Sequence, residues 1–244
     1  MVDTRRRSFL KAFTWRFFAF ILLGVITWHL TADIKTVTYV TLGYHTLQVF
    51  MYYIHERVWG GITWGKSRGL AIQMSGMSGA GKTTLAHNVA DRLRGNGYLV
   101  EVIDGDEYRA GICSDLGFSK KDRDANIHRL GFVSKVLCRN NVVSIIAAIN
   151  PYSETRDELT SFVHGIKTVY IKCDLETLKK RDTKGLYHRA LLPDGDPNKV
   201  HNFTGISDPF EPPESPDLLI ETNVELLDES VKKLENFIMR CCDE

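Results

Sequence analysis

Residues 76–83 read G-M-S-G-A-G-K-T and match the phosphate-binding pattern G-x-x-x-x-G-K-[ST]. The run before them, L-A-I-Q-M-S, is apolar enough for a buried strand, and residues 84–94 are expected to form a helix that ends at Gly95. A glycine-rich loop between a strand and a helix turns backbone N–H groups toward phosphate oxygens. This pattern therefore constrains the region to an α/β fold with a nucleotide-binding loop.

Two side chains of this loop can act on ATP directly. Lys82 can reach the β and γ phosphates, and the hydroxyl of Thr83 can ligate Mg²⁺. We therefore predict ATP and Mg²⁺ as cofactors and Lys82 as a catalytic residue. The residues expected to bind ATP and Mg²⁺ are Gly76, Ser78, Gly79, Ala80, Gly81, Lys82, Thr83 and Thr84.

Beyond the loop, strand-like and helix-like segments alternate, which is typical of a parallel sheet flanked by helices. Further strands are predicted at 98–103, 142–149, 168–173 and 217–221. Further helices are predicted at 119–140, 154–163, 175–181 and 226–241. The stretch 193–216 contains six of the seven prolines, so we predict a long loop there, and long loops in compact domains are often lids.

Acidic side chains follow the predicted strand 98–103. Asp104 and Asp106 come at its end, and Arg109 follows three residues later. Because ligands gather beyond the carboxyl ends of parallel strands, these side chains should face the phosphate loop. A carboxylate there can hold Mg²⁺ or take the proton of an acceptor hydroxyl. The alternative, above all for Asp104, is a cap on the following helix.

The predicted helix 119–140 begins with the capping sequence S-x-x-D and carries Arg123 and Asn126. These two side chains could belong to a solvated helix face. The nearby phosphate loop and D-G-D sequence instead favour a contact between Arg123 and an anion.

Charge is distributed unevenly along the chain. Residues 1–66 carry eight basic and three acidic side chains, whereas the remaining residues carry 23 basic and 27 acidic ones. Because the body has no large basic surface, nucleic acid is not an expected partner. Five cysteines without a C-x-x-C pair argue against a disulfide framework or a zinc site and favour a reducing compartment.

Two apolar segments precede the phosphate loop. Residues 12–30 contain a single charge, Arg16, and residues 37–54 contain none. Helices of this length span ~27–29 Å, about one hydrocarbon thickness. We therefore predict a transmembrane helical hairpin within a domain of residues 1–66, followed by a P-loop domain of residues 67–244. Basic residues flank the outer ends of both segments, so a multi-pass topology with the P-loop domain in the cytoplasm is expected.

Two other interpretations of these segments stay open. A signal peptide would share the basic start, but a convincing cleavage site is missing, and a hairpin buried in a soluble protein is the second alternative. A metal or proton site could be built from His29, His45, His55 and Glu56. We favour instead that these residues lie at the membrane interface or in contacts between the two helices.

Taken in order, the motifs of residues 69–240 resemble those of the adenylyl-sulfate (APS) kinase family. The matching stretches are G-x-S-G-A-G-K-T-T, D-G-D-x-x-R, L-G-F-S-x-x-D-R-x-x-N-I-x-R, x-P-Y-x-x-x-R-D, K-G-L-Y and F-T-G-I-x-D-P-[YF]-E-x-P-E. The resemblance implies a P-loop kinase that phosphorylates the ribose 3′-hydroxyl of APS with ATP, giving PAPS and ADP in sulfate activation. The head resembles a small two-helix membrane domain of unknown function.

Carried over position by position, the resemblance implies roles for individual residues. Asp106 would orient or deprotonate the 3′-hydroxyl and, with Thr83, hold the metal ion. Phe118 and Phe203 would sandwich the adenine of APS, and Lys184 and Leu186 would belong to the lid that closes over both substrates. The substrate-binding residues that the family implies are Asp104, Arg109, Phe118, Arg123, Asn126, Ile149, Lys184, Leu186 and Phe203.

Two departures from the family pattern leave the acceptor open. Asn150 stands where the family usually has Ser before Pro-Tyr/Phe, so only direct in-line transfer is expected. Residues 191–202 are longer and more acidic than the usual lid segment. A related kinase acting on a different nucleotide or sugar hydroxyl is therefore the alternative. A homodimer and ATP sulfurylase are the expected protein partners.

Overall fold

Residues 5–28, 34–62, 68–182 and 184–243 are described by the computed structural model of this chain. They belong to two units that divide between residues 66 and 67, the first helical and the second α/β. The features of the sequence that lie outside the described residues are His29, the side chains of Arg16 and His45, residues 31–33 between the two apolar segments and residues 63–67 before the α/β unit.

The helical unit consists of α1 (Arg5–Trp28) and α2 (Ile34–Gly61). α1 begins before the predicted segment 12–30, and α2 extends beyond both ends of 37–54, because flanking Arg, Lys and Glu residues are good helix formers. Within the described ranges, neither helix combines the length with the apolar character that crossing a bilayer requires.

The first turns of α1 pack against the last turns of α2. The buried side chain of Arg7 donates to the carbonyl oxygen of Trp59 and, at 2.6 Å, to that of Ile62. Lys11 pairs with Glu56 at 3.3 Å. The arginine thus supplies hydrogen bonds to carbonyl groups at the end of α2, where the regular helical partners run out.

Five parallel strands form the sheet of the α/β unit, in the order β2-β3-β1-β4-β5. They are β1 (Ala71–Ser75), β2 (Val100–Asp104), β3 (Val143–Ala147), β4 (Lys167–Lys172) and β5 (Leu218–Glu221). Each overlaps a predicted strand, and the predicted parallel α/β sheet is confirmed. Ala147 of β3 pairs with both Met74 of β1 and Asp104 of β2, so the carboxyl ends of these three strands are aligned.

Seven helices of the described α/β residues surround the sheet. They are α3 (Lys82–Gly95), α4 (Gly105–Ala110), α5 (Lys120–Arg139), α6 (Ser153–Phe162), α7 (Leu175–Arg181), α8 (Leu186–Ala190) and α9 (Leu227–Asp243). The helix after Asp104, considered in the sequence as the alternative to a ligand role for that residue, is α4. The sequence pattern does not predict α8, which is too short for a clear periodicity. Residues 193–216 form the predicted long loop, in which one bridge joins Thr204 and Asp208.

Two apolar layers cover the sheet. Helices α3 and α9 pack on one face, and α5 and α6 pack on the other. Ile145 belongs to the first layer and Ile146 to the second, because successive strand residues point to opposite faces. With both faces covered, the carboxyl edge of the sheet is the place where polar side chains collect.

Candidate active site

The phosphate loop connects β1 to α3 and folds around the side chain of Lys82. The ammonium group donates to the carbonyl oxygens of Gly76 and Met77, both at 2.8 Å, and the residue is 8% exposed. Burial lowers the pKa of Lys82 to about 8, although the charges of Asp106 and Asp104 oppose the change. The loop thus holds a buried amine at a position where it could bind a phosphate group.

Gly76 lies where the loop leaves the sheet. A Cβ atom at this position would come within 2.5 Å of the carbonyl oxygen of Ile171, so no larger residue fits. The N–H of Gly76 donates to the carbonyl oxygen of Ile149 at 3.2 Å, and the hydroxyl of Ser75 contacts the same oxygen at 3.4 Å. The predicted nucleotide contact at Ile149 therefore lies directly beside the start of the phosphate loop.

Asp104 joins the phosphate loop to the start of α4. Its carboxylate accepts a hydrogen bond of 2.6 Å from the hydroxyl of Thr83 and also accepts from the N–H groups of Asp106 (2.8 Å) and Glu107 (3.3 Å). Burial raises the pKa of Asp104, but these hydrogen bonds outweigh burial, and the pKa lies below its ordinary value. Asp104 is therefore a helix cap and also faces the loop.

Asp106 projects from the first turn of α4 toward α8. Its carboxylate forms an ion pair with Lys184, and the two side chains are 72% and 60% exposed. The hydroxyl of Thr83 contacts Asp104 instead. The structure therefore places Asp106 against the predicted lid residue, and the predicted metal ligands Thr83 and Asp106 share no hydrogen bond.

Arg109, Phe118 and Arg123 form a group that we call the arginine surface. The two guanidinium groups lie 4.8 and 5.7 Å from the centre of the Phe118 ring, which is itself 59% exposed. Burial and the charge of Arg123 lower the pKa of Arg109. Two cations held this close repel each other, and an anion bound between them would relieve the repulsion.

Backbone contacts fix the two arginines. Arg109 donates to the carbonyl oxygen of Gly117 at 2.8 Å. Arg123 donates to the carbonyl oxygens of Phe118 at 3.1 Å and Asn202 at 2.6 Å. The arginine surface is therefore held by α4, α5 and the long loop together.

Asn126 lies almost one helical turn after Arg123 and is buried. Its side-chain oxygen Oδ1 has no hydrogen-bond partner in the structure. Leaving a buried acceptor unsatisfied costs about 1–3 kcal/mol. The oxygen is therefore available to a hydroxyl or N–H of a ligand.

Phe203 and Leu186 belong to the packing around α8. Phe203 is 6% exposed and meets the ring of Tyr187 edge-on at 4.9 Å, whereas Phe118 lies open. Leu186, the first residue of α8, is partly buried against the same core. The two predicted stacking rings thus have different environments, and only Phe118 presents an exposed face.

Residues that sequence reasoning missed also touch the phosphate loop. The hydroxyl of Tyr187 donates to the carbonyl oxygen of Ser78 at 2.9 Å, and that of Thr222 donates to the carbonyl oxygen of Ala80 at 2.9 Å. Tyr187 belongs to the K-G-L-Y motif and could have been noticed. Thr222 follows β5 and belongs to no motif, so only the folded sheet reveals its contact.

The α/β unit matches proteins whose activity is named. A family model described as adenylylsulphate kinase matches residues 68–221. The chain is 43% identical over 169 residues to the adenylyl-sulfate kinase of Rippkaea orientalis, which covers 69% of this chain and 91% of that protein. It is 44% identical over 169 residues to the probable adenylyl-sulfate kinase of Synechocystis sp., and this alignment covers 69% of this chain and 93% of that protein.

A solved structure shows the same fold. The Mycobacterium tuberculosis APS kinase CysC in complex with AMPPNP and APS aligns with a TM-score of 0.65 at 30% identity, over 71% of this chain and 99% of that one. For the head, a family model described as a predicted membrane protein (DUF2061) matches residues 9–60. The two units of the chain therefore resemble two separate families.

Proposed function

The chain belongs to the adenylyl-sulfate kinase family, and from this premise we propose how its residues carry out the reaction. The enzyme transfers the γ-phosphoryl group of ATP to the ribose 3′-hydroxyl of APS and yields PAPS and ADP. One observation carries the proposal. The carboxylate of Asp104 accepts from the hydroxyl of Thr83 at 2.6 Å and from the N–H of Asp106 at 2.8 Å, so Asp106 lies beside the phosphate loop, where it also pairs with Lys184.

On the ATP side, Lys82 binds the transferring phosphoryl group. ATP oxygens would replace its present carbonyl partners and satisfy a buried charge. The hydroxyl of Thr83 and the carboxylate of Asp104 suit Mg²⁺, which in kinases takes one or two carboxylates besides phosphate oxygens. Asp106 remains the other candidate ligand. Bound Mg²⁺ would neutralise charge on the β and γ phosphates.

On the acceptor side, Asp106 orients the 3′-hydroxyl and takes its proton. For this role the carboxylate exchanges its contact with Lys184 for one with the substrate. Transfer from ATP is direct, because Asn150 offers no hydroxyl for a phosphorylated intermediate. Asn150 is buried with φ of +43°, a conformation that Asn tolerates better than most residues.

The arginine surface binds the anionic part of APS. Arg109 and Arg123 contact the phosphosulfate, and the free Oδ1 of Asn126 accepts from the ribose. The exposed ring of Phe118 stacks on the adenine, a contact worth ~1–3 kcal/mol. Phe203 can complete the sandwich only if the substrate moves it away from Tyr187, whereas Lys184 and Leu186 act from the lid.

A direct acceptor assay tests this assignment. The full-length chain in detergent is incubated with Mg-ATP and, separately, with APS, adenosine nucleotides lacking the sulfate, and sugars. Mass spectrometry detects the phosphorylated product. We expect PAPS from APS and little product from the other acceptors. A preference for another nucleotide or a sugar would support the alternative that the unusual lid segment suggests.

We also propose that residues 1–66 anchor the enzyme in a membrane as a two-helix hairpin with the kinase unit in the cytoplasm. The family match over 9–60, to a predicted membrane protein, supports a membrane location for this unit. So do exposed apolar side chains along both helices, since large exposed apolar patches mark interaction surfaces. They include Phe9, Phe13, Phe17, Val49, Phe50 and Val58. Full-length protein should resist carbonate extraction, and release into the soluble fraction would contradict the anchor. A homodimer and an association with ATP sulfurylase stay predictions.

A further inference from the structure

Asp208 lies between Tyr152 and Arg123. The hydroxyl of Tyr152 donates to the two carboxylate oxygens of Asp208 at 2.9 and 3.1 Å. The Nε atom of Arg123 lies 3.9 Å from the same carboxylate, and both charged side chains are largely buried. A tyrosine, a carboxylate and an arginine therefore form a continuous chain of polar contacts.

The turn that carries Asp208 is tightly held. The N–H of Gly205 donates to the carbonyl oxygen of Asp208 at 2.7 Å, and the N–H of Asp208 donates to that of Phe203 at 3.1 Å. Gly205 has φ of +87°, and a Cβ atom there would lie 2.7 Å from the sulfur of Met77. The backbone before this turn supplies the Asn202 carbonyl that accepts from Arg123, so one turn positions two partners of that guanidinium.

The start of α6 holds the same segment at a second point. Glu211 accepts from the N–H and the hydroxyl of Ser153 at 2.6 and 2.7 Å, and its own N–H donates to the carbonyl oxygen of Pro151 at 2.9 Å. The guanidinium of Arg156 donates to the carbonyl oxygen of Glu211 at 2.7 Å. Loss of the Tyr152 hydroxyl alone should therefore leave the segment in place.

We infer that Tyr152 and Asp208 are positioning residues for the acceptor nucleotide. Asp208 offsets the repulsion between Arg123 and Arg109 and holds the Arg123 guanidinium in its orientation, while Tyr152 fixes the carboxylate. The inference rests on the proposed role of Arg123 in binding APS.

The tyrosine can fill this role over a wide pH range. Burial and the hydrogen bond to Asp208 raise the pKa of Tyr152 to about 12, so its hydroxyl stays a donor. Neither Tyr152 nor Asp208 needs to touch the substrate.

Steady-state kinetics of the full-length chain in detergent test the inference, with APS and ATP varied separately. Tyr152→Phe should raise the KM for APS about three- to tenfold, as loss of one hydrogen bond predicts, with kcat and the KM for ATP nearly unchanged. Asp208→Asn should raise the KM for APS further. Tyr170→Phe is the matched control, because Tyr170 stacks on Phe210 of the same segment at 6.1 Å and should leave both constants unchanged.

A double variant tests whether Tyr152 acts on APS binding through Arg123. In an Arg123→Ala background, Tyr152→Phe should add little, because coupled residues are not additive. If Arg123→Ala leaves the KM for APS unchanged, the proposed role of Arg123 fails. If Arg123→Ala raises that KM but Tyr152→Phe changes neither KM, or both equally with a lower Tm, the positioning role alone is overturned.

Discussion

In the phosphate loop, Lys82 and the carbonyl groups that hold it lie within seven consecutive residues, and the lysine is buried. On the acceptor side, Arg109, Phe118 and Arg123 come from α4, α5 and the segment between them, and the lid residue Lys184 joins from far along the chain. Phe118, Asp106 and Lys184 are exposed. We infer that the ATP side is built within one loop, in which Lys82 exchanges its carbonyl partners for phosphate oxygens, whereas we expect the acceptor side to be completed only when APS binds.

Lys82→Ala should have the largest effect on turnover, because the ATP side of the site depends on this one buried charge. We expect turnover to fall at least about 10³-fold, since a preorganised group acting on the transferring phosphoryl is lost. PAPS formation is measured by mass. Lys179→Ala, which removes a partly exposed lysine paired with Glu176 at 3.2 Å, is the control and should be fully active. Substantial activity in Lys82→Ala would show that the loop does not act as proposed.

Asp106→Asn tests whether one carboxylate connects the two sides. The amide cannot take the proton of the 3′-hydroxyl, so kcat should fall about 10²-fold or more, the range of general-base catalysis. ATP binding, measured by calorimetry at pH 6.5, where Lys82 stays charged, should change little. Near-normal turnover would remove Asp106 from the catalytic role and leave it as a partner of Lys184.

Arg123→Ala should raise the KM for APS far more than the KM for ATP. Loss of a charge-assisted hydrogen bond costs about 1.5–3 kcal/mol, so the KM for APS should rise about 10- to 100-fold with little change for ATP. Arg129→Ala is the matched control on the same helix, because Arg129 pairs with the exposed Asp115 instead. An equal rise for ATP and APS would place Arg123 on the wrong side of the site.

The same contrast explains how much of the site the sequence could predict. The phosphate loop is local, so its eight residues and the apolar run before them sufficed to predict the strand, the loop and the helix that follows. The burial of Lys82 and its contacts with the carbonyl groups of Gly76 and Met77 were not predicted. The S-x-x-D start of α5 and the parallel strands were likewise predictable from periodicity and caps.

Contacts between distant segments left no such signal. Thr222 reaches the loop only because β5 lies beside β4 in the folded sheet. Phe203 was expected to stack on a ligand, but its buried contact with Tyr187 depends on where α8 packs. The cap of α4 by Asp104 was one of the alternatives, but the hydrogen bond from Thr83 to the same carboxylate was not predicted, because it depends on how α4 packs beside the phosphate loop.

The smallest expected effect is a difference in pH dependence between the two nucleotides. Burial lowers the pKa of Lys82 to about 8, and a bound phosphate favours the charged amine, so ATP affinity should be constant below pH 7 and fall above pH 8. At pH 9 the loss should be about tenfold, with uptake of nearly one proton per ATP, because one pKa unit corresponds to a factor of ten. The arginine surface cannot lose its charges in this range, so APS affinity should stay flat.

Asp106→Asn removes a charge that raises the pKa of Lys82, and the fall in ATP affinity should then begin at lower pH. Calorimetry in two buffers of different ionisation enthalpy measures both affinity and proton uptake. A flat profile for ATP between pH 7 and 9.5 would mean that Lys82 is not buried as the structure describes, and the contrast between a closed ATP side and an open acceptor side would fail with it.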